Sequence, residues 1–259
     1  MILIFIKKAL ILSAFFVLGL SSLAHAENVS CPTLAPSQSV DVAQVFDGDT
    51  VQLRDKRRVR LIGINALELK EHSREARELA EQSKDALKRW VDARSARLYL
   101  TLDREGFDHY GRVLGYLHDA QGADAGEYLI SQGLAYAVAI APNVSRAKCY
   151  FSAEERARSR RLGVWGQLPI VELDKKSSLH AGFVILTGRV TQKLQFKKSF
   201  AIILDGQLVV QVKAKAFDRY ATGAQVTVRG WVQKKRFVYK KQYFPYQMVI
   251  SDLRNIQLN

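Results

Sequence analysis

The spacing of apolar residues switches from a period of two to a helical period and back, and that switch limits the fold more than any other feature. Val40, Val42, Val45, Val51, Leu53, Val59, Leu61 and Ile64 largely alternate with polar residues, as in half-buried strands. The charged stretch Arg54-Asp55-Lys56-Arg57-Arg58 reads as a hairpin tip. From Ser73 the pattern changes: Ala76, Leu79, Ala80, Ser83, Leu87, Trp90 and Val91 fall on one face of a helix, with charges on the other. Arg97 to Leu102 and Val113 to His118 return to strand character. Asp124 is expected to cap a short helix running through Leu129 and Ile130 toward Gly133. Ser152-x-x-Glu155 reads as a capping box opening a last basic helix that stops at Gly163. Strands, helix, strands, helix, helix describe an α+β unit, a small barrel with helices packed on it.

The pattern then becomes almost purely β. Pro169 to Ser178 reads as a linker, dividing a first domain at 39–168 from a second at 179–259. Val184 to Val190, Phe200 to Leu204, Leu208 to Val212, Val226 to Val232 and Met248 to Ile256 are strand candidates, with a short helical piece at Lys215 to Tyr220 after the third. That element order is the one of an OB-fold, a mostly-β barrel; an SH3-type barrel is the competing reading. Trp231 reads as a core residue of this unit.

Charge separates the two halves. The chain carries 39 basic and 25 acidic residues. Residues 27–173 hold 21 of each, whereas residues 174–259 hold 16 basic and four acidic, a net of +12. A neutral domain followed by a basic one suggests that the second holds a polyanion on which the first acts. At the other end, Lys7 and Lys8, the apolar run Ala9 to Leu20 and Ala24-His25-Ala26 form a signal-peptide pattern with cleavage expected after Ala26. An uncleaved anchor is the alternative. Residues 1–26 are thus read as a signal peptide and 27–38 as a lead, which places the working protein in the periplasm or outside the cell. In such an oxidising setting Cys31 and Cys149 are expected to form one disulfide, against two free thiols.

The residues able to carry chemistry begin with Asp47-Gly48-Asp49-Thr50 at a strand turn. Two carboxylates flanking a glycine can direct hard oxygen ligands at one cation, although Asp-Gly is also an ordinary hairpin turn. Arg60-Leu61-Ile62-Gly63-Ile64-Asn65-Ala66-Leu67-Glu68 follows, then Asp108-His109-Tyr110-Gly111-Arg112, Gln132-Gly133-Leu134-Ala135 and Gly163-Val164-Trp165-Gly166. In content, order and spacing these motifs resemble the staphylococcal nuclease (thermonuclease) family, from about Val40 to Gly166. The resemblance implies a five-stranded OB-type barrel with packed helices. It also implies hydrolysis of phosphodiester bonds in DNA or RNA, with Ca²⁺ as cofactor. It assigns Arg60 and Arg112 to clamping phosphate and Glu68 to the attacking water. Asp49 becomes the principal metal ligand, Asn65 and the Ala66 carbonyl further ligands, and Asp47 a support to the metal. The chemistry suits the types: guanidinium forks donate paired hydrogen bonds to phosphate oxygens and keep their charge, while a carboxylate can take a proton from water.

The chain departs from the family's pattern where Asn65, Ala66 and Leu67 stand in place of Asp, Thr and Pro. A neutral ligand at Asn65 implies weak calcium binding, in the ~10⁻⁴–10⁻³ M range of extracellular modules. His109 replaces a basic residue, and the family's pair of nucleotide-contacting tyrosines is missing between Ala137 and Pro142, leaving only Tyr136 nearby. In the second domain, Lys234, Lys235, Arg236, Phe237, Tyr239, Lys240, Lys241 and Tyr243 interleave cations with rings. Placed between the fourth and fifth strands of an OB-like barrel, they are expected to bind nucleic acid, cations on phosphates and rings on bases; a solvated hairpin with its rings turned inward is the alternative. Two other functions compete: a non-catalytic nucleic-acid binder with a degraded metal site, and an enzyme tethered by its basic module to acidic envelope polymers.

Overall fold

A computed structural model describes residues 31–71, 73–94, 98–174, 178–213 and 216–259. The signal-peptide pattern, Arg97 and Lys215 lie outside the described residues. The first unit is built on β1 (Gln38–Val40), β2 (Val42–Val45), β3 (Thr50–Leu53), β4 (Arg58–Leu61), β6 (Leu98–Phe107) and β7 (Val113–Asp119). β1 pairs with β6 and β2 with β3, so the two short strands act as one bent strand that closes the sheet into a five-stranded barrel. β4 and β7 run parallel; the other neighbours are antiparallel. Helix α1 (Arg74–Asp92) sits between β4 and β6, its first turn capped by Ser73 Oγ, which accepts from Ala76 N at 3.0 Å. Its buried face is Ala76, Leu79, Ala80, Ser83, Ala86, Leu87, Trp90 and Val91. Helix α2 (Ala125–Ser131) is capped by Asp124, and a two-stranded pair joins β5 (Ile64–Asn65) to β8 (Tyr136–Ala137).

The last helices are α3 (Ala147–Ser159) and α4 (Val164–Gln167). The expected start at Ser152 is therefore wrong. Ala147, Cys149 and Tyr150 already belong to the buried face, so packing extends the helix before Ser152, whose Oγ instead accepts from Arg156 Nη1 within it. The helix stops at Ser159, and Gly163 begins α4 rather than ending α3. Cys31 and Cys149 form a disulfide across 118 positions. In the chain-entropy picture a loop of that length is worth about 5 kcal/mol. The bond holds the lead against the barrel, where Arg146 Nη1 also donates to Pro32 O.

The second unit repeats the ring. β10 (Gly182–Gln195), β11 (Phe200–Leu204), β12 (Leu208–Val212), β16 (Tyr246–Ile250) and β13 (Gln225–Gln233) pair in that order, and β13 returns to β10 in a register running from Gly182↔Val232 to Arg189↔Gln225. As in the first barrel, the third and fifth strands are the parallel pair. Three details differ from expectation. Val171–Glu172 form β9, parallel to β10, and Leu173 is buried in the second core, so this end of the supposed linker belongs to the barrel. The helical piece shrinks to one 3-10 turn, Phe217–Arg219. The last strand breaks after Ile250: a 3-10 turn at Leu253–Asn255, capped by Asp252, leads to β17 (Ile256–Leu258), which pairs with β13. A basic hairpin, β14 (Phe237–Tyr239) and β15 (Gln242–Phe244), separates β13 from β16.

The two barrels are joined by specific polar bonds. Arg229 of β13 inserts its guanidinium into the first unit, where Nη1 donates to Glu154 Oε2 at 2.6 Å and to Ala137 O at 2.8 Å. Asn255 makes a reciprocal pair with the Ala139 backbone, and Ser251 Oγ accepts from Ala141 N. Among the described residues no helix is long and apolar enough to cross a membrane.

Candidate active site

The turn from β2 to β3 carries Asp47 and Asp49. Gly48 is required there because a Cβ would lie 2.0 Å from Ser83 Oγ and 2.6 Å from Ala66 Cβ; the turn packs directly on α1 and on the segment after β5. Asp49 N donates to Asp47 Oδ1 at 2.9 Å. The Asp49 carboxylate is buried: Oδ2 accepts from Ala66 N at 2.8 Å and pairs with Arg60 Nη2 at 3.0 Å, and Oδ1 accepts from Thr50 Oγ1 at 3.1 Å. Burial, and then repulsion from Asp47, push its pKa up to about 6 against the opposing pull of Arg60.

Arg60 reaches this group because β4 places it opposite Thr50 in the antiparallel register. Its Nη1 donates to Leu61 O at 2.5 Å and its Nη2 to Asn65 Oδ1 at 3.3 Å. Glu68 follows β5 at the exposed rim. Partial burial raises its pKa first, with Asp47 adding to the shift, while Arg60 and Arg112 oppose it. Arg112 comes from the tight turn between β6 and β7. Asp108 organises that turn, its Oδ1 accepting from the backbone N of Tyr110 and of Arg112 and its Oδ2 from Arg112 Nε at 2.7 Å. Among the described residues the terminal nitrogens of Arg112 have no hydrogen-bond partner, and its guanidinium lies 5.6 Å from the Tyr110 ring centre.

Asp47, Asp49, Arg60, Asn65, Glu68 and Arg112 line one cleft of about 1060 Å³, which Trp231, Val232 and Gln233 of the second barrel close on the other side. Ala66 does not line it, and its carbonyl accepts from Asn65 Nδ2 at 3.2 Å.

The basic hairpin divides. Lys234, Lys235, Arg236, Lys240 and Lys241 are exposed, and Tyr243 is exposed beside Arg236. Phe237 and Tyr239, expected to stack on bases, instead pack against a small cluster of Leu194, Ala201, Ile203, Val209 and Phe244. The strands need that cover on their outer face, so the hairpin spends two of its rings on it. Trp231 is not core: it is 38% exposed and lines the cleft. Its outward position on β13 is legible as alternation with buried Val232, but only the docking of the barrels shows what it faces. Asp108 stands in the sequence motif without a role; its spacing of four from Arg112 is the signal that it holds that arginine. Lys197 and Lys198 add two exposed cations at the β10–β11 turn.

Residues 58–167 match the model of the family described as staphylococcal nuclease homologue. The matched residues lie in the first barrel and its helices. The matched span of the staphylococcal nuclease homologue domain contains Arg60, Asn65, Ala66, Glu68 and Arg112; Asp47 and Asp49 precede it, and the second barrel follows it. Two relatives, each named an uncharacterized endonuclease, from Escherichia coli and from Escherichia coli O157:H7, are 26% identical over 140 residues, 52% of this chain and 82% of theirs. The succinoglycan biosynthesis protein ExoI of Rhizobium meliloti (strain 1021) is 31% identical over 132 residues, 49% of this chain and 64% of its own length.

The donor set can be tested for a cation. Among the described residues no three His, Cys, Asp or Glu side chains gather around one point. The available oxygens are the Asp47 and Asp49 carboxylates, the Asn65 amide and the Ala66 carbonyl, and each of these groups already accepts a hydrogen bond within the protein. Burial is the main cause of the raised pKa of Asp49; the Arg60 guanidinium opposes it and the neighbouring Asp47 adds a smaller rise. That arrangement suits a hard divalent cation, with fewer charged ligands than a tight calcium site has.

Proposed function

We propose that this chain is an exported, calcium-dependent nuclease that hydrolyses phosphodiester bonds of DNA or RNA, with its substrate held by the basic second barrel. The observation that carries the reading is the convergence of Arg60, Glu68 and Arg112 with the buried Asp49 on one cleft. The endonuclease names of the two Escherichia coli relatives support it.

In this reading Arg112 and Arg60 bind the non-bridging oxygens of the scissile phosphate and stabilise the charge that grows on it. Glu68 orients a water at the rim and accepts its proton. Its raised pKa makes it a stronger base than an ordinary glutamate. Asp49, with Asp47 behind it, holds Arg60 in place and directs oxygens into the cleft. Calcium, when bound by Asp49 and Asn65 with Asp47 in support, supplies Lewis-acid polarisation of the phosphate. Export is favoured by the Cys31–Cys149 disulfide, a bond that persists in oxidising compartments.

The test is hydrolysis of a single-stranded oligonucleotide by the full chain across a calcium titration. Activity should require calcium in the range of ~10⁻⁴–10⁻³ M typical of weak extracellular sites, and Asn65→Asp should lower that requirement. Calcium-independent cleavage, or no cleavage at any calcium concentration, overturns the reading. A second reading, a nucleic-acid binder without catalysis, is favoured by one observation: both ends of the Asn65 amide are bonded within the protein. Under it Asn65→Asp leaves the chain inactive while nucleic acid still binds.

A further inference from the structure

We infer that the second barrel supplies the base-recognition wall of the catalytic cleft, with Trp231 as a stacking platform for an unpaired base next to the scissile phosphate. The inference rests on the nuclease reading for the position of that phosphate. Three observations point to it.

The first is placement. Trp231 is 38% exposed and lines the same cleft as Arg60, Glu68 and Arg112. A large ring outside the core clusters, with part of its surface open to the cleft, has apolar area left to bury.

The second is how the ring is held. β10 sets Phe183 opposite Trp231, and the two rings meet at 5.1 Å and 67°. Phe183 stacks on Tyr136 at 5.6 Å and 29°. Tyr136 lies on β8, opposite Asn65 of β5. A continuous series of contacts therefore runs from the strand bearing the metal-site asparagine to the indole. The Arg229–Glu154 and Asn255–Ala139 bonds fix the two barrels around it. Stacking benefits from such rigidity, because no side-chain freedom remains to be lost on binding.

The third is continuity. Gln233, two positions on and outward-facing like Trp231, lines the same cleft, and its carbonyl accepts from Lys235 N at 3.0 Å. The exposed cations of the 234–241 hairpin thus begin where the cleft ends. A strand leaving the arginines past Trp231 passes directly onto them. Phosphate at the arginines, base on an aromatic face and further phosphates on lysines is the chemistry of single-stranded nucleic acid; in a duplex both faces of each base are already covered.

The experiment compares the full chain with Trp231→Ala and Trp231→Phe, using a fluorescent single-stranded oligonucleotide and the same strand with an abasic residue scanned across it. Cleavage gives KM and kcat, and anisotropy gives Kd without any need for turnover. Trp231→Ala should weaken Kd and raise KM by roughly 5- to 100-fold, from the usual strength of base–aromatic stacking. It should leave kcat within a few-fold, and Trp231→Phe should recover most of the loss. For the wild-type chain, one abasic position should reproduce the loss; on that strand Trp231→Ala should cost nothing more. That arm needs no variant, so misfolding of Trp231→Ala does not obscure the result. Unchanged Kd and KM in Trp231→Ala, or indifference of the wild-type chain to every abasic position, overturns the inference while leaving nuclease activity intact. Trp231-dependent binding without cleavage overturns the catalytic reading and leaves the base wall standing.

Discussion

The two barrels share one ring of strands and differ in what their loops carry. In both, the first strand pairs with the second and fourth, and the third runs parallel to the fifth. The turn between the first and second strands is Asp47-Gly48-Asp49 in one barrel and Phe196-Lys197-Lys198 in the other. The connection between the fourth and fifth strands is the short Asp108–Arg112 turn in one and the basic 234–245 hairpin in the other. Between the third and fourth strands, α1 packs Ser83 against Gly48 in the first barrel, whereas the second has a single 3-10 turn. The difference teaches that the ring itself sets no chemistry. A helix backing the first turn helps to bury Asp49 and raise its pKa; without that backing, the equivalent turn stays solvated and keeps its lysines exposed.

The sharpest way to break this division of labour is to disable the first barrel alone. Arg60→Ala and Glu68→Gln should each lower kcat by about 10²- to 10⁴-fold, while the Kd for a single-stranded oligonucleotide changes by only a few-fold. Comparable losses in both quantities would show that grip and catalysis are not separated between the barrels.

A smaller effect is expected at the junction. Arg229→Leu leaves Glu154, already destabilised as an anion by burial, without its counter-charge. Breaking such a buried pair costs about 3–5 kcal/mol, to be read from urea unfolding. The double variant Arg229→Leu with Glu154→Leu should recover part of that loss. If it recovers nothing, the pair contributes through shape and not through charge.

The smallest effect concerns the second barrel's surface. Changing Lys234, Lys235, Lys240 and Lys241 to Gln should reduce the slope of log K against log salt by about 0.7 for each phosphate contact removed from a single strand. The kcat at saturating substrate should be unchanged. A slope that stays the same assigns the grip to other residues, with Lys197 and Lys198 the next to test.

Much of the fold is legible in the sequence because alternation is a local signal. Phe200–Leu204 and Leu208–Val212 have their observed bounds, and the α1 face from Ala76 to Val91 is buried as its spacing predicts. The start of α3 was misplaced because Ser152 and Glu155 form a locally adequate cap, and only burial around Cys149 and Tyr150 reveals that the helix is already running. The half-burial of Phe237 and Tyr239 is hidden from the sequence for a related reason. A ring next to lysines reads as exposed unless the strands beneath it, Leu194 to Val209, are known to lack cover.

By itself, then, the sequence determined the two β-rich units, the unequal distribution of their charge, and the residue types on each loop, because periodicity and composition are properties of the chain alone. The tertiary structure decided that Asp49 is buried against Arg60, that Asp108 sets Arg112, and that Trp231 belongs to the cleft and not to a core. Those outcomes depend on strand register and on the docking of one barrel against the other. Both are fixed by contacts between residues far apart in the chain, Arg229 with Glu154 and Phe183 with Tyr136 among them, which no local pattern encodes.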